Sequence, residues 1–230
     1  AQIEDWWYPV RLSCEQCSSE ATARYKAAII RQLGKKQDIL IDLTGGYGVD
    51  TYFLSEQTTQ AHYVERNEEL CRIAQHNFQI ANKPIHVHNT SAEDFLAQYS
   101  MAGSVSSDVK KEVVVYLDPA RRDAHGGKVF RIEDCEPNII KILPSLRAIS
   151  NTILIKFSPM LDITSALQSL GNEWDVHVVA LHNEVKEIMH KNIAGEFSEK
   201  SSIKDFKLIH ADATSMVYAS DEVYTQYKFS

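Results

Sequence analysis

The chain has 230 residues, 44% of them hydrophobic and 24% charged, which suffices to bury the core of one large domain. A net charge of -7 excludes a protein coated in basic surface for non-specific nucleic-acid binding, although a local arginine cluster can still bind phosphate. No apolar run reaches the roughly 18 residues of a spanning helix and the N-terminus lacks the layout of a signal peptide, so the expected location is cytoplasmic, with no membrane contact.

The opening text "AQIEDWWYPV" begins without Met and reads like the middle of a protein, so the chain is expected to be a piece of something longer. Residues 1–33 are read as a helical lead-in: within 18–33, Ala23, Ala27, Ile30 and Leu33 recur at helical spacing, and Gly34 follows as a stop. "DILIDLT" (38–44) suits a buried parallel strand, followed by a glycine turn and a helix from Val49 to Glu56. "AHYVER" (61–66) is a second strand, and the helix after it has Asn67 as its N-cap. The alternation continues with strand 85–88, helix 92–99, strand 113–118, helix 137–149, strand 152–157, helix 162–170 and strand 175–181.

Strands alternating with helices predict a doubly wound, mostly parallel α/β sheet, because each right-handed crossover helix packs back onto the sheet it left. Only "HNEV" separates "DVHVVAL" from "KEIMHKNI", too little for a crossover, so the final step is a hairpin with an antiparallel strand. This core occupies 34–195. Residues 196–230 are read as a polar C-terminal extension with one or two further strands, expected to start a truncated appended domain.

Cysteines 14, 17, 71 and 135 form only one close pair, in "CEQC"; without a second pair or a His pair at ligand spacing, no metal is expected and the thiols are read as reduced. His86 and His88 alternate along a short strand, where structural or exposed roles are commoner than ligation.

The stretch "DLTGGYGVD" (42–50) raises the choice of cofactor, and the end of the fourth strand decides it. A dinucleotide fingerprint needs a third glycine, and that position is Thr51. Asp42 at the strand end, with Gly46 and Gly48 following and Gly45 beside them, instead suits a ligand that carries both an ammonium and a carboxylate, as the methionyl half of S-adenosylmethionine does. Glu65 ends the second strand, where a carboxylate can accept from both ribose hydroxyls or be a plain exposed acid. Ser91, Ala92, Glu93 and Asp94 follow the third strand; one of the two acids is placed to accept from an adenine amino group, and either can cap the next helix. The fourth strand runs into Asp118-Pro119-Ala120-Arg121-Arg122, with proline fixing the backbone beside the acid.

With "EQCSSEATARYKA", "YVERN", "LDPARRD" and "KFSPMLD", these motifs cover about residues 10 to 190, and the chain resembles a class I S-adenosylmethionine-dependent methyltransferase. It is most similar to the bacterial group that carries "DPARR" where amine-directed relatives carry Asp-Pro-Pro-aromatic, often with THUMP-like domains appended. The resemblance implies S-adenosylmethionine as cofactor, held by residues among Ser19, Glu20, Asp42, Thr44, Gly45, Gly46, Gly48, Glu65, Arg66, Ala92, Glu93 and Asp118, with "SSEAT" over the methionyl end. It implies catalysis at Asp118, Pro119 and Arg121, and acceptor contacts from Arg121, Arg122 and Lys156. Replacement of Pro-aromatic by Ala120-Arg121 removes the ring on which a base would stack, while a guanidinium can stack or pair with phosphate. The expected function is methylation of an amine nitrogen of an RNA base. The alternatives are a protein or small-molecule methyltransferase, favoured by the acidic net charge, and a non-catalytic cofactor-binding module.

Overall fold

In the computed structural model, the described residues are 5–8, 17–34, 36–101, 112–121, 131–171, 174–181, 184–193, 206–210 and 217–219. The chain divides into two compact units, residues 1–117 and 118–230. The division falls inside the segment 34–195 read above as one domain, and the lead-in helix belongs to the first unit.

The first unit opens with α1 (Glu20–Arg31), whose N-cap Ser19 accepts from the Thr22 amide and which buries Ala23, Lys26, Ala27 and Ile30 along one face. There follow β1 (Gln37–Asp42), α2 (Val49–Leu54), β2 (Thr58–Glu65), α3 (Glu68–Ile80), β3 (Ile85–Asn89), α4 (Ala92–Met101) and β4 (Val113–Leu117). The α2 helix ends sooner than predicted, because Ser55–Gln57 tightens into a 3-10 turn. Asn67 caps α3 as expected, accepting from the Glu69 and Leu70 amides. The four strands pair in parallel in the order β4-β1-β2-β3, so β1 lies between β2 and β4. Every residue of β4, "VVVYL", is buried, as a parallel strand covered on both faces requires. Cys71, Ala74 and Phe78 on α3 pack on Tyr63 of β2.

The second unit begins with a feature the sequence did not suggest: β5 (Ala120–Arg121) pairs antiparallel with β6 (Cys135–Glu136). Then come α5 (Ile139–Ile149), capped by Asn138, β7 (Thr152–Phe157) and α6 (Ile163–Leu170), capped by Asp162. The expected hairpin joins β8 (Asp175–Leu181) to β9 (Glu184–Ile193), and β9 also runs antiparallel to β7, so it sits between them. Among the described residues of 196–230, two further strands occur: β10 (Phe206–His210) pairs in parallel with β8, and β11 (Val217–Ala219) pairs antiparallel with β10. No helix among the described residues is long and apolar enough to cross a membrane.

Candidate functional site

The glycine turn after β1 is shaped by what lies beneath it. A Cβ on Gly45 would sit 2.2 Å from Cε2 of Tyr63, so the aromatic ring excludes any side chain there. The Tyr63 hydroxyl then donates to the Gly46 carbonyl over 2.5 Å, tying the turn to β2. Burial, followed by the charge of Glu65, pushes the Tyr63 hydroxyl far above its ordinary pKa, so it stays a donor. Gly48 takes φ 81°, and a Cβ on it would meet Phe78 at 2.7 Å. Gly46 differs: among the described residues a Cβ there would meet only the Thr44 carbonyl, at 3.8 Å, an ordinary contact. The sequence treats Gly45 as an accessory; the structure makes it the tightest position in the turn.

Asp42 is 1% exposed, and its carboxylate is aimed into the turn. One oxygen accepts from the Thr44 amide at 3.0 Å and the other from the Thr51 hydroxyl at 2.5 Å. Thr51, singled out in the sequence only because it breaks the dinucleotide pattern, is thus what orients the acid.

Glu65 bridges two elements. Its Oε2 accepts from the Gly46 amide at 3.0 Å and its Oε1 from the Asn67 amide at 2.8 Å, so the end of β2 holds both the glycine turn and the cap of α3. Each carboxylate oxygen has a second lone pair, so two further acceptor sites remain in its chemistry.

A buried ionic cluster lies against the start of α2. Lys26 of α1, fully buried, places Nζ 3.1 Å from Asp50 Oδ1 and donates to the Ser18 hydroxyl at 2.8 Å. The Ser18 hydroxyl donates to Asp50 Oδ2 at 2.8 Å, and the Tyr116 hydroxyl donates to the same oxygen at 2.7 Å. Sequence reasoning missed this cluster. Its signal was a lysine on the apolar face of α1, beside Ala23, Ala27 and Ile30.

Other expected cofactor residues have local partners. Ser19 is a helix cap, and Glu20 pairs with Arg24 at 2.8 Å on the exposed face of α1, which lowers its pKa. Arg66 is exposed, and its carbonyl accepts from Asn89. At α4, Ser91 accepts from the Asp94 amide and donates to its carboxylate at 2.7 Å, so Ser91 caps the helix and the cap expected of Glu93 or Asp94 falls to neither acid. Ala92 is buried and Glu93 exposed.

In the second unit, Asp118 follows directly on Leu117, the last residue of β4, and Pro119 is buried. Lys156, near the end of β7, donates to Asp118 Oδ2 at 2.5 Å; its side chain is 12% exposed against 34% for the acid. The two charged residues chosen separately from the sequence therefore form one ion pair, which gives Lys156 a role toward Asp118. Arg121 is placed by its backbone in β5, and Arg122 lies outside the described residues.

Burial pushes the Cys71 thiol up to about 11 and the Cys135 thiol up to about 12, which keeps both protonated near neutral pH. His62 Nδ1 and His88 Nε2 lie 2.9 Å apart, and burial lowers the His88 pKa. Among the described residues, no group of three or more His, Cys, Asp or Glu is arranged to hold a metal ion.

No family model matches the chain, and no curated protein matches its sequence. Among solved structures, a candidate methyltransferase from Porphyromonas gingivalis W83 is 30% identical over 99% of this chain, with a TM-score of 0.77. The fold is that of the Rossmann-like class I methyltransferases. The chain covers 54% of the Porphyromonas protein, about half its length. A candidate class I S-adenosylmethionine-dependent methyltransferase from Listeria monocytogenes shares this methyltransferase fold over 90% of this chain and 69% of its own, at 11% identity and TM-score 0.59. TrmK of M. capricolum, in complex with S-adenosylhomocysteine, shares it over 76% and 70%, at 10% identity and TM-score 0.50.

Proposed function

We propose that the chain is an S-adenosylmethionine-dependent methyltransferase acting on an amine nitrogen of an RNA base, in a cytoplasmic setting. The observation that carries the cofactor assignment is the arrangement around Glu65: a carboxylate at the end of β2 bonded to the Gly46 amide, in a turn where no described residue crowds Gly46. The residues present fit the group. Glu65 keeps acceptor sites for two ribose hydroxyls, and Asp42 supplies a buried negative charge at the end of β1. Ser19, Glu20, Thr44, Gly45, Gly48, Arg66, Ala92 and Glu93 complete the proposed cofactor set. Likeness to the Porphyromonas candidate methyltransferase supports the same reading.

Bound S-adenosylmethionine would supply an electrophilic methyl group on a sulfonium. The protein's task is then to position the acceptor and to receive its proton. The Asp118 carboxylate and the Pro119 carbonyl accept the N–H bonds of the amine and so direct its lone pair. Lys156 holds one oxygen of Asp118 and so fixes the orientation of the carboxylate. Arg121 and Arg122 bind the phosphate or the base of the RNA. The run Asp118-Pro119-Ala120-Arg121-Arg122 also supports membership of the bacterial group with THUMP-like appended domains.

The net charge of -7 favours a second reading, with a protein or a small molecule as the acceptor. Calorimetry with S-adenosylhomocysteine tests the cofactor, and mass spectrometry of RNA from cells lacking the protein tests the acceptor. Loss of one methylated nucleoside supports RNA; unchanged RNA together with cofactor binding supports the second reading.

A further inference from the structure

Asp50 is the second residue of α2 and comes two positions after Gly48 of the turn. Its carboxylate collects donors from three separate segments: Ser18 ahead of α1, Lys26 within α1, and Tyr116 in β4. Lys26, Asp50 and Tyr116 are buried, with Ser18 half-buried at the edge, and an apolar set of similar volume would join α1 to α2 without the cost of desolvating two charges. What the ionic set adds is direction. The Ser18 hydroxyl accepts from Lys26 and donates to Asp50, so both its donor and its acceptor geometry are satisfied in one placement. Tyr116 refers the same carboxylate to the strand tips, since its carbonyl accepts from the Leu43 amide just after β1.

We propose that Asp50 is a positioning residue for cofactor binding, holding residues 18–20 against the glycine turn through the Ser18 hydroxyl so that this segment forms one wall of the site. The proposal rests on the cofactor reading above. Without the Ser18 contact the segment loses its fixed place beside the turn, and affinity falls by more than stability alone accounts for.

The test is a calorimetric titration with S-adenosylhomocysteine, paired with thermal unfolding, on the wild-type chain and on Ser18→Ala, Ser18→Thr and Ser150→Ala. Ser150 is a control: its hydroxyl also donates a short bond, to the Thr152 carbonyl at 2.7 Å, but within one segment of the other unit. Ser18→Ala is expected to weaken binding tenfold or more, Ser18→Thr to restore it to within threefold, and Ser150→Ala to lower Tm while leaving affinity unchanged. If Ser18→Ala lowers Tm yet binds like the wild type, Asp50 is only a structural staple and the proposal is overturned. If the wild-type chain itself does not bind, the cofactor reading fails and takes the proposal with it.

Discussion

The Thr51 hydroxyl donates to the buried carboxylate of Asp42 across 2.5 Å, from the first turn of α2 to the last residue of β1. The residue that breaks the dinucleotide pattern is therefore the one that fixes the acid. Thr51→Val keeps the shape and removes the donor, which should cost about 1 to 3 kcal/mol of stability and weaken S-adenosylhomocysteine binding as well. Thr51→Gly completes the G-x-G-x-x-G spacing but should create no NAD site. Urea unfolding and calorimetry with both ligands check this; NAD binding tighter than S-adenosylhomocysteine would overturn the cofactor assignment.

Gly45→Ala should be far more damaging than a surface glycine change. The new methyl group would sit 2.2 Å from the Tyr63 ring, and overpacking of this kind costs about 1 to 3 kcal/mol or more. Tyr63→Leu alone loses the bond to the Gly46 carbonyl. In the double variant the smaller side chain leaves room for the methyl, so the two losses should add to less than their sum. Strict additivity in urea titrations would show that the ring does not set the glycine requirement.

Glu65→Gln tests the bridge from β2. Whichever way the amide turns, one of its ends presents N–H groups to the amide of Gly46 or Asn67, and one of the two bonds is lost. Cofactor affinity should fall by about 1 to 3 kcal/mol, the scale of charge-assisted bonds to the ligand plus a loosened turn. An unchanged dissociation constant in the folded variant would make Glu65 purely structural.

His190 gives the second unit an acid sensitivity. Fully buried in β9 beside Phe157, it is pushed down to about 3 by desolvation, and the nearby His177 adds to the effect. The unfolded chain takes up a proton near the ordinary histidine value of about 6.5, while the folded chain does not until about pH 3. Between those values the unfolded state binds more protons. Stability should therefore fall with pH by up to about 1.4 kcal/mol per unit from this group, and show no contribution from it above about pH 6.5. In His190→Leu, the difference between urea midpoints at pH 7.5 and 5.5 should shrink; an identical difference would place the acid sensitivity elsewhere.

Asp118→Asn separates chemistry from binding. The side chain keeps its shape, but the amide is a poorer acceptor for the substrate's N–H and for Lys156. Labelled methyl transfer to RNA from cells lacking the protein should drop about a hundredfold, with affinity for S-adenosylhomocysteine within threefold of wild type. Abolished cofactor binding would assign Asp118 to the cofactor rather than the acceptor.

What the sequence determined by itself was local. The run "VVVYL" reads as a strand covered on both faces, Asn67 as a cap, and the short link after "DVHVVAL" as a hairpin, because each depends on backbone preference and spacing within a few residues. The turn class followed from Asp42, the glycines and Thr51 for the same reason. Which partner each site residue takes was decided only by the tertiary structure. Ser18 and Asp50 are 32 positions apart, Tyr116 and Asp50 66, and Lys156 and Asp118 38. No periodicity records such pairs, since a charged side chain in sequence carries no mark of whether a distant opposite charge will meet it. The clearest case is Lys26: on the apolar face of α1 it breaks the pattern, and only burial against Asp50 explains why a charge is tolerated there, because an unpaired ammonium in that place would lose its hydration with nothing to replace it.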